Sequence, residues 1–197
     1  MTAKPDPRET ILQAAAQRIL HYGYAKTTMS EIAQDCGMSA GNIYRFFPAK
    51  IDIAQEMTRR FYVENHRAFQ AIVEDQTRSP SRRLADFFTV RLERSFQVFS
   101  EHPKLMELAE IMGRERPEFL VEEDTKQRIF IEQILAAGVA SGDFALTNPL
   151  TVTADLVQCA AVKFQTPFLW TTERLDFLKT ELLQLLSLLL TGLSARR

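Results

Sequence analysis

Between Cys36 and Lys50 the chain reads CGMSAGNIYRFFPAK, a stretch whose polar and apolar side chains separate cleanly once it is wound into a helix. Projected at about 100° per residue, Ile43 and Phe47 share one side, Gly41 and Arg45 lie opposite, and Asn42 and Tyr44 sit on the flanks. Gly41 removes a side chain where a base pair or phosphate could come near. Arg45 carries a planar fork of donors suited to phosphate oxygens or the edge of guanine. Just upstream, Thr27 and Thr28 offer hydroxyls and backbone N–H groups to phosphate oxygens. This is recognition chemistry rather than bond-making. The chain assembles no nucleophile, base and orienter, shows no phosphate loop, and has only three His, so an enzyme is not expected. Cys36 and Cys159 stand far apart without metal-ligand spacing, so no metal, disulfide framework or cofactor is expected either.

The elements that must hold these residues read as helices. Apolar residues recur at helical spacing almost throughout, there are 7 Gly and 8 Pro, and no segment alternates for long like a half-buried strand, which predicts an all-α fold. Asp6, Pro7 and Glu9 open a first helix with an N-cap, a Pro at the first position and a capping-box acid, and Gly23 closes it. A second helix starts after Thr27 or Thr28 and runs to about Asp35. Gly37 breaks it, and Ser39 caps a third short helix ending before Pro48. Ala33, Gly37 and Ile43 sit at the offsets a helix-turn-helix needs: a small residue at close approach, a glycine in the turn, an apolar residue on the second helix. Ile32, Cys36, Met38 and Phe46 complete the seal. Longer helices are expected from about Ala49 to about Glu74, from Ser81 to about Glu101 and from Arg116 to Gly142, with a short one after Pro103 and further helices after Asn148 and Pro149 and after Thr171 or Thr172.

The block TTMSEIAQDCGMSAGNIYRFFPAK, with Gly23 and Tyr24 before it, resembles the DNA-binding domain of the TetR (tetracycline repressor) family. That resemblance implies an N-terminal three-helix DNA-binding domain with a helix-turn-helix over residues 1–50, and a larger helical ligand-binding and dimerisation domain over 51–197. Carried over by position, Thr27, Thr28, Tyr44 and Lys50 hold phosphates, while Ser39, Ala40, Gly41, Asn42 and Arg45 face bases or the adjoining backbone. Two places depart from the family pattern. Phe46 stands where Tyr or His is frequent. Ala49 and Ile51 stand where a cap and an acidic residue are frequent, so the fourth helix is expected to start loosely.

Beyond residue 50 the sequence is less specific. Twelve of the 14 phenylalanines lie past Phe47, ample material for an apolar pocket. Phe61, Phe69, Phe88, Phe96, Phe99, Met106, Phe130 and Phe164 are candidate lining residues, and His66, His102, Glu93 and Gln165 candidate polar anchors. The last two helical segments have more apolar surface than a monomer can bury. The family's four-helix dimer bundle then makes Ala154, Ala161, Leu182, Leu185, Leu186 and Leu189 candidates for the interface.

The implied function is a homodimeric regulator, most often a repressor, released from a palindromic operator by an apolar effector. Its implied partners are double-stranded DNA, a small apolar molecule and a second copy of itself. An activator of the same fold and a helical small-molecule carrier that no longer binds DNA are the alternatives. The net charge of −1 gives no global attraction to a polyanion, although residues 1–60 carry +2 and the remainder −3. With no apolar signal core and no run long enough to span a bilayer, the chain is expected to be cytoplasmic.

Overall fold

The computed structural model describes residues 6–170 and 174–195. Nine α-helices account for most of them: α1 Pro7–Tyr22, α2 Met29–Asp35, α3 Ala40–Tyr44, α4 Lys50–Glu74, α5 Pro80–Glu101, α6 Leu105–Glu115, α7 Pro117–Ser141, α8 Leu150–Ala160 and α9 Leu175–Leu193. Two short 3-10 turns, Val162–Gln165 and Pro167–Leu169, lie between α8 and α9. No strand occurs among the described residues, in keeping with the helical periodicity. The cap expected at Thr171 or Thr172 lies outside them.

The chain divides into two compact units, Met1–Val63 with Phe99–Leu120, and Glu64–Val98 with Val121–Arg197, and the division falls inside α4, α5 and α7. In the first unit, Ile11, Leu12 and Ala15 of α1 pack with Met29, Ile32 and Ala33 of α2, Ile43 of α3, Phe47, and Ile53 of α4. A second cluster joins Ile19, Tyr24, Ile51 and Ala54 to Leu108 and Met112 of α6 and to Phe119. Helix α6, read from the sequence only as a short element after Pro103, thus belongs to the core of the N-terminal unit.

The helix starts follow the sequence signals, with two corrections. Asp6 does cap α1, but its carboxylate accepts from Arg8 N–H at 3.0 Å and no capping box forms. Glu9 instead accepts from Gln13 at 3.1 Å and pairs with Arg60 at 2.7 Å. The start of α4 is not loose: Asp52 accepts from the Ala49 N–H at 2.9 Å, supplying the partner that residue 49 lacks, and Ile51 is buried in the core. The capping box appears on α2, where the Thr28 hydroxyl accepts from Glu31 N–H and the Glu31 carboxylate accepts from Thr28 N–H.

In the second unit, Phe69, Phe87 and Phe130 form a ring cluster with centroids 4.6 to 6.4 Å apart, and Phe88 stands edge-on to Phe87. The end of α9 is tied to the α7–α8 connection through Ala145 N–H to the Leu193 carbonyl at 2.8 Å and Ala195 N–H to the Asp143 carbonyl at 3.2 Å. Gly138 allows this closure, because a Cβ there would lie 2.0 Å from the Phe144 ring.

Candidate nucleic-acid interface

The short helix α3 is held from below and open above. Ile43 and Phe47 are fully buried in the first-unit core, Phe46 packs on it half-buried, and Ala40 and Asn42 are half-buried. Arg8 reaches over this end of the chain, its guanidinium 4.3 Å from the Phe47 ring centroid and donating to the Phe46 carbonyl at 3.3 Å. On the other side Ser39, Gly41, Tyr44 and Arg45 are exposed, Tyr44 by 51%. A Cβ at Gly41 would meet nothing within 4 Å, so the glycine leaves open room rather than relieving a clash. The Ser39 hydroxyl accepts from Asn42 N–H at 3.3 Å, and the turn before it depends on Gly37 at φ +62°, where other residues would be strained.

Helix α2 is fixed against α1 by Arg18, which donates through Nε and, at 3.1 Å, through Nη2 to the Asp35 carboxylate, and lies 3.3 Å from Glu31. The Arg18 fork holds the Asp35 carboxyl below its ordinary range. Cys36 is half-buried beneath, and burial pushes its thiol up, so it is a packed thiol rather than a reactive one.

Three of the residues read as phosphate contacts are less free than their sequence suggests. Thr27 is 0% exposed, its hydroxyl donates to the Gly23 carbonyl at 2.9 Å, and its N–H donates to the Tyr24 carbonyl at 3.2 Å. Nothing of its side chain reaches the surface. Thr28 is exposed, but its hydroxyl and N–H are both engaged by Glu31. Lys50 turns its ammonium inward, to the carbonyls of Tyr24 and Thr27 at 2.7 Å each. Of the nine residues, Ser39, Gly41, Tyr44 and Arg45 form the open face, with Asn42 and Thr28 at its edge.

Residues 11–57, which span α1 to the first turns of α4, match the family model described as bacterial regulatory proteins, tetR family. Over these residues the chain is similar to tetR-family regulators. It is 28% identical over 141 residues to the HTH-type transcriptional repressor KstR2 of Mycolicibacterium smegmatis, covering 70% of this chain and 67% of that protein. Among solved structures, a transcriptional regulator from Cytophaga hutchinsonii superposes with a TM-score of 0.74 at 19% identity, covering 95% of this chain and 98% of that one. FadR from Bacillus subtilis in complex with stearoyl-CoA superposes at 0.64 and 19% identity over 94% and 98%. These likenesses support a DNA-binding transcriptional regulator.

The other candidate residues are dispersed. Phe61, Phe99, His102 and Met106 lie in the first unit, whereas His66, Phe69, Phe88, Phe96, Phe130, Phe164 and Gln165 lie in the second. Phe69, Phe88 and Phe164 are buried core, Phe96 stacks at 6.2 Å on Trp170, and Gln165 donates to the Gln158 carbonyl at 3.1 Å. Glu93, offered as an anchor, is bonded to Lys179. His66 stands 5.6 Å from the Phe130 ring of the cluster and 3.7 Å from the buried Glu123, which accepts from Lys126 at 2.8 Å.

Burial holds the His66 imidazole below its usual 6.5, against the Glu123 carboxylate that favours the charged form and with Lys126 that opposes it. The folded state therefore resists a proton that the unfolded chain accepts, so this contribution to stability is present above about pH 6.5 and lost as the pH falls toward the folded value. His66→Gln should show a smaller drop in melting temperature than the parent between pH 7.5 and pH 5.5. An equal drop would leave His66 without this role.

The interface candidates divide in the same way. Ala154, Ala161, Leu182 and Leu186 are buried within the chain itself and have no surface to offer a partner, and Leu185 and Leu189 are half-buried. Helical periodicity alone does not tell the inward face of α8 and α9 from the outward one. The uncovered apolar residues are Val152 and Leu156 on α8 and Phe177, Leu183 and Leu188 on α9, with Leu156 at 54%, Phe177 at 65% and Leu188 at 74% exposure. Cys159 is exposed on α8 as well. No described helix is long and apolar enough to cross a membrane.

Proposed function

We propose that the protein is a homodimeric repressor whose two copies of α3 enter successive major grooves of a palindromic operator, with half-sites about 34 Å apart. The observation that carries this is the open face of α3 itself: Ser39, Gly41, Tyr44 and Arg45 exposed above a fully buried Ile43 and Phe47. Tyr44 takes a backbone phosphate, Arg45 and the edges of Gly41 and Asn42 read bases, and the DNA-binding domain comprises residues 1–50. The exposed faces of α8 and α9 take the second copy. Repression is supported by the likeness to KstR2, named a repressor.

The effector is a small, largely apolar molecule. FadR, a neighbour in fold, was solved with stearoyl-CoA, and the second unit here is rich in aromatic side chains. Its polar group would be met near His66 and Phe130, the half-buried members of that cluster. Binding there favours a population of dimers whose recognition helices no longer match the operator spacing.

Selection of genomic fragments on the purified protein, followed by affinity measurement on the enriched sequence, tests this reading. Arg45→Ala should weaken the selected site by about 1–3 kcal/mol and relax preference at one base pair per half-site. If no fragment enriches over competitor DNA, the protein is not a sequence-specific DNA binder.

A further inference from the structure

Within the second unit, α4 and α5 run antiparallel and meet in successive steps: the Val73 carbonyl accepts from Arg83 at 2.7 Å, the Phe69 and Phe87 rings stand 4.6 Å apart, and Asn65 accepts from Arg94 Nε at 2.5 Å. The other arginines of α5 each have an evident task. Arg82 meets Asp86 at 3.0 Å, Arg83 holds the end of α4, and Arg91 stands 4.0 Å from Asp124, which also accepts from Gln158 at 2.7 Å. Arg94 is different. It is half-buried, it has no carboxylate within ion-pair distance among the described residues, and its hydrogen-bond partner is the neutral amide of Asn65. Asn65 is 3% exposed and engages through its oxygen, so its amide N–H groups have no partner among the described residues.

We propose that Arg94 and Asn65 are the recognition point for the carboxylate of an organic acid; this rests on the apolar-effector reading and gives that effector its chemical class. A guanidinium keeps its charge at any pH the cell reaches. Held partly out of water beside a neutral partner, it carries a desolvation cost that an arriving anion offsets. Nε is committed to Asn65, which leaves the two terminal nitrogens in one plane, an arrangement that takes a carboxylate through two parallel hydrogen bonds. The Asn65 amide adds further donors and no competing charge. One guanidinium balances one negative charge, so the pair suits a monocarboxylate better than a phosphate dianion. Asn65 lies one turn before Phe69 on α4, and Arg94 two turns beyond Phe87 on α5. The acid group is thereby met at one end of the Phe69, Phe87 and Phe130 cluster, with the apolar body toward the rings.

Calorimetric titration of the full-length chain with dodecanoate, phenylacetate and cholate, each beside its methyl ester, tests this assignment. At least one acid should bind, and about tenfold or more tighter than its ester, which keeps the shape and loses the charge. Arg94→Met, which keeps the stem, should weaken that acid by about ten- to hundredfold and leave the ester at its parent affinity. Asn65→Asp sets a carboxylate of the chain itself against Arg94. Its melting temperature should stay at or above the parent value, and its affinity for the acid should fall by about tenfold or more, because the charge is already answered. A merely structural arginine would lower melting in Arg94→Met and leave the preference for acid over ester unchanged in both variants. An ester that binds the parent at least as tightly as its acid, or an acid preference that survives Arg94→Met, would overturn the proposal and leave an apolar effector standing. If neither acids nor esters bind, the effector reading fails and the carboxylate site falls with it.

Discussion

A chain carrying Leu156→Glu and Leu188→Glu should run as a monomer in size-exclusion chromatography with light scattering, and should bind the selected operator at least about a hundredfold more weakly than the parent. Both leucines stand mostly exposed, so replacing them removes little packing from the single chain and should leave its melting temperature at low concentration within a few degrees. Buried against a second copy, the two carboxylates per chain would lose their hydration with no cation opposite, a cost that rises to several kcal/mol per ion. Binding through two half-sites multiplies affinity by about 10²–10⁴ over one, and that gain vanishes with the dimer. Leu182→Ala, by contrast, empties the inside of the chain and should lower melting without changing the mass of the folded species. If the double glutamate variant stays dimeric, the copies meet elsewhere.

The contrast between Leu182 and Leu188 shows where reading from the sequence stops. Both are leucines on a helix that is apolar on nearly every side, and a 3.6-residue period has no contrast to report when both faces are apolar. Around α3 the contrast is sharp, with Gly41 and Arg45 opposite Ile43 and Phe47, and there the open and buried faces were legible before any coordinates. Helix starts were legible for a similar reason. The T-x-x-E spacing of Thr28 and Glu31 writes a capping box into four residues, whereas the similar spacing of Asp6 and Glu9 yields only a cap at Asp6. Contacts made across long separations left no such trace. Glu107 meets Ala25 from 82 residues away and Arg116 meets Asp52 from 64, and nothing in the local pattern of either distinguishes it from a solvated surface charge. The same blindness covered Lys50 and Thr27. A lysine and a threonine near a DNA-binding helix have the right chemistry for phosphate, and only the carbonyls they meet show that the chemistry is already in use.

The aromatic pair at the end of α3 gives the second large effect. Phe47 is 1% exposed, packs with Ile11, Ile43 and Ile53, and lies under the Arg8 guanidinium, whereas Phe46 is half-buried at the margin of the same cluster. Phe47→Ala should cost about 3–5 kcal/mol, from the lost transfer energy and the cavity left where the surroundings cannot collapse. A further 0.5–1 kcal/mol or so goes with the cation contact from Arg8. Against a total stability of about 5–15 kcal/mol, that is enough to leave the first unit largely unfolded at 37 °C and to abolish operator binding. Phe46→Ala, losing a side chain that already meets water, should cost no more than about 1–2 kcal/mol and keep measurable binding. Urea unfolding of the two variants and titration against the selected operator compare them directly. Equal costs would mean that the two rings share one role. Unequal costs in the expected order would show that a single turn of chain holds a core residue and a rim residue side by side, and that the first is what keeps Tyr44 and Arg45 facing outward.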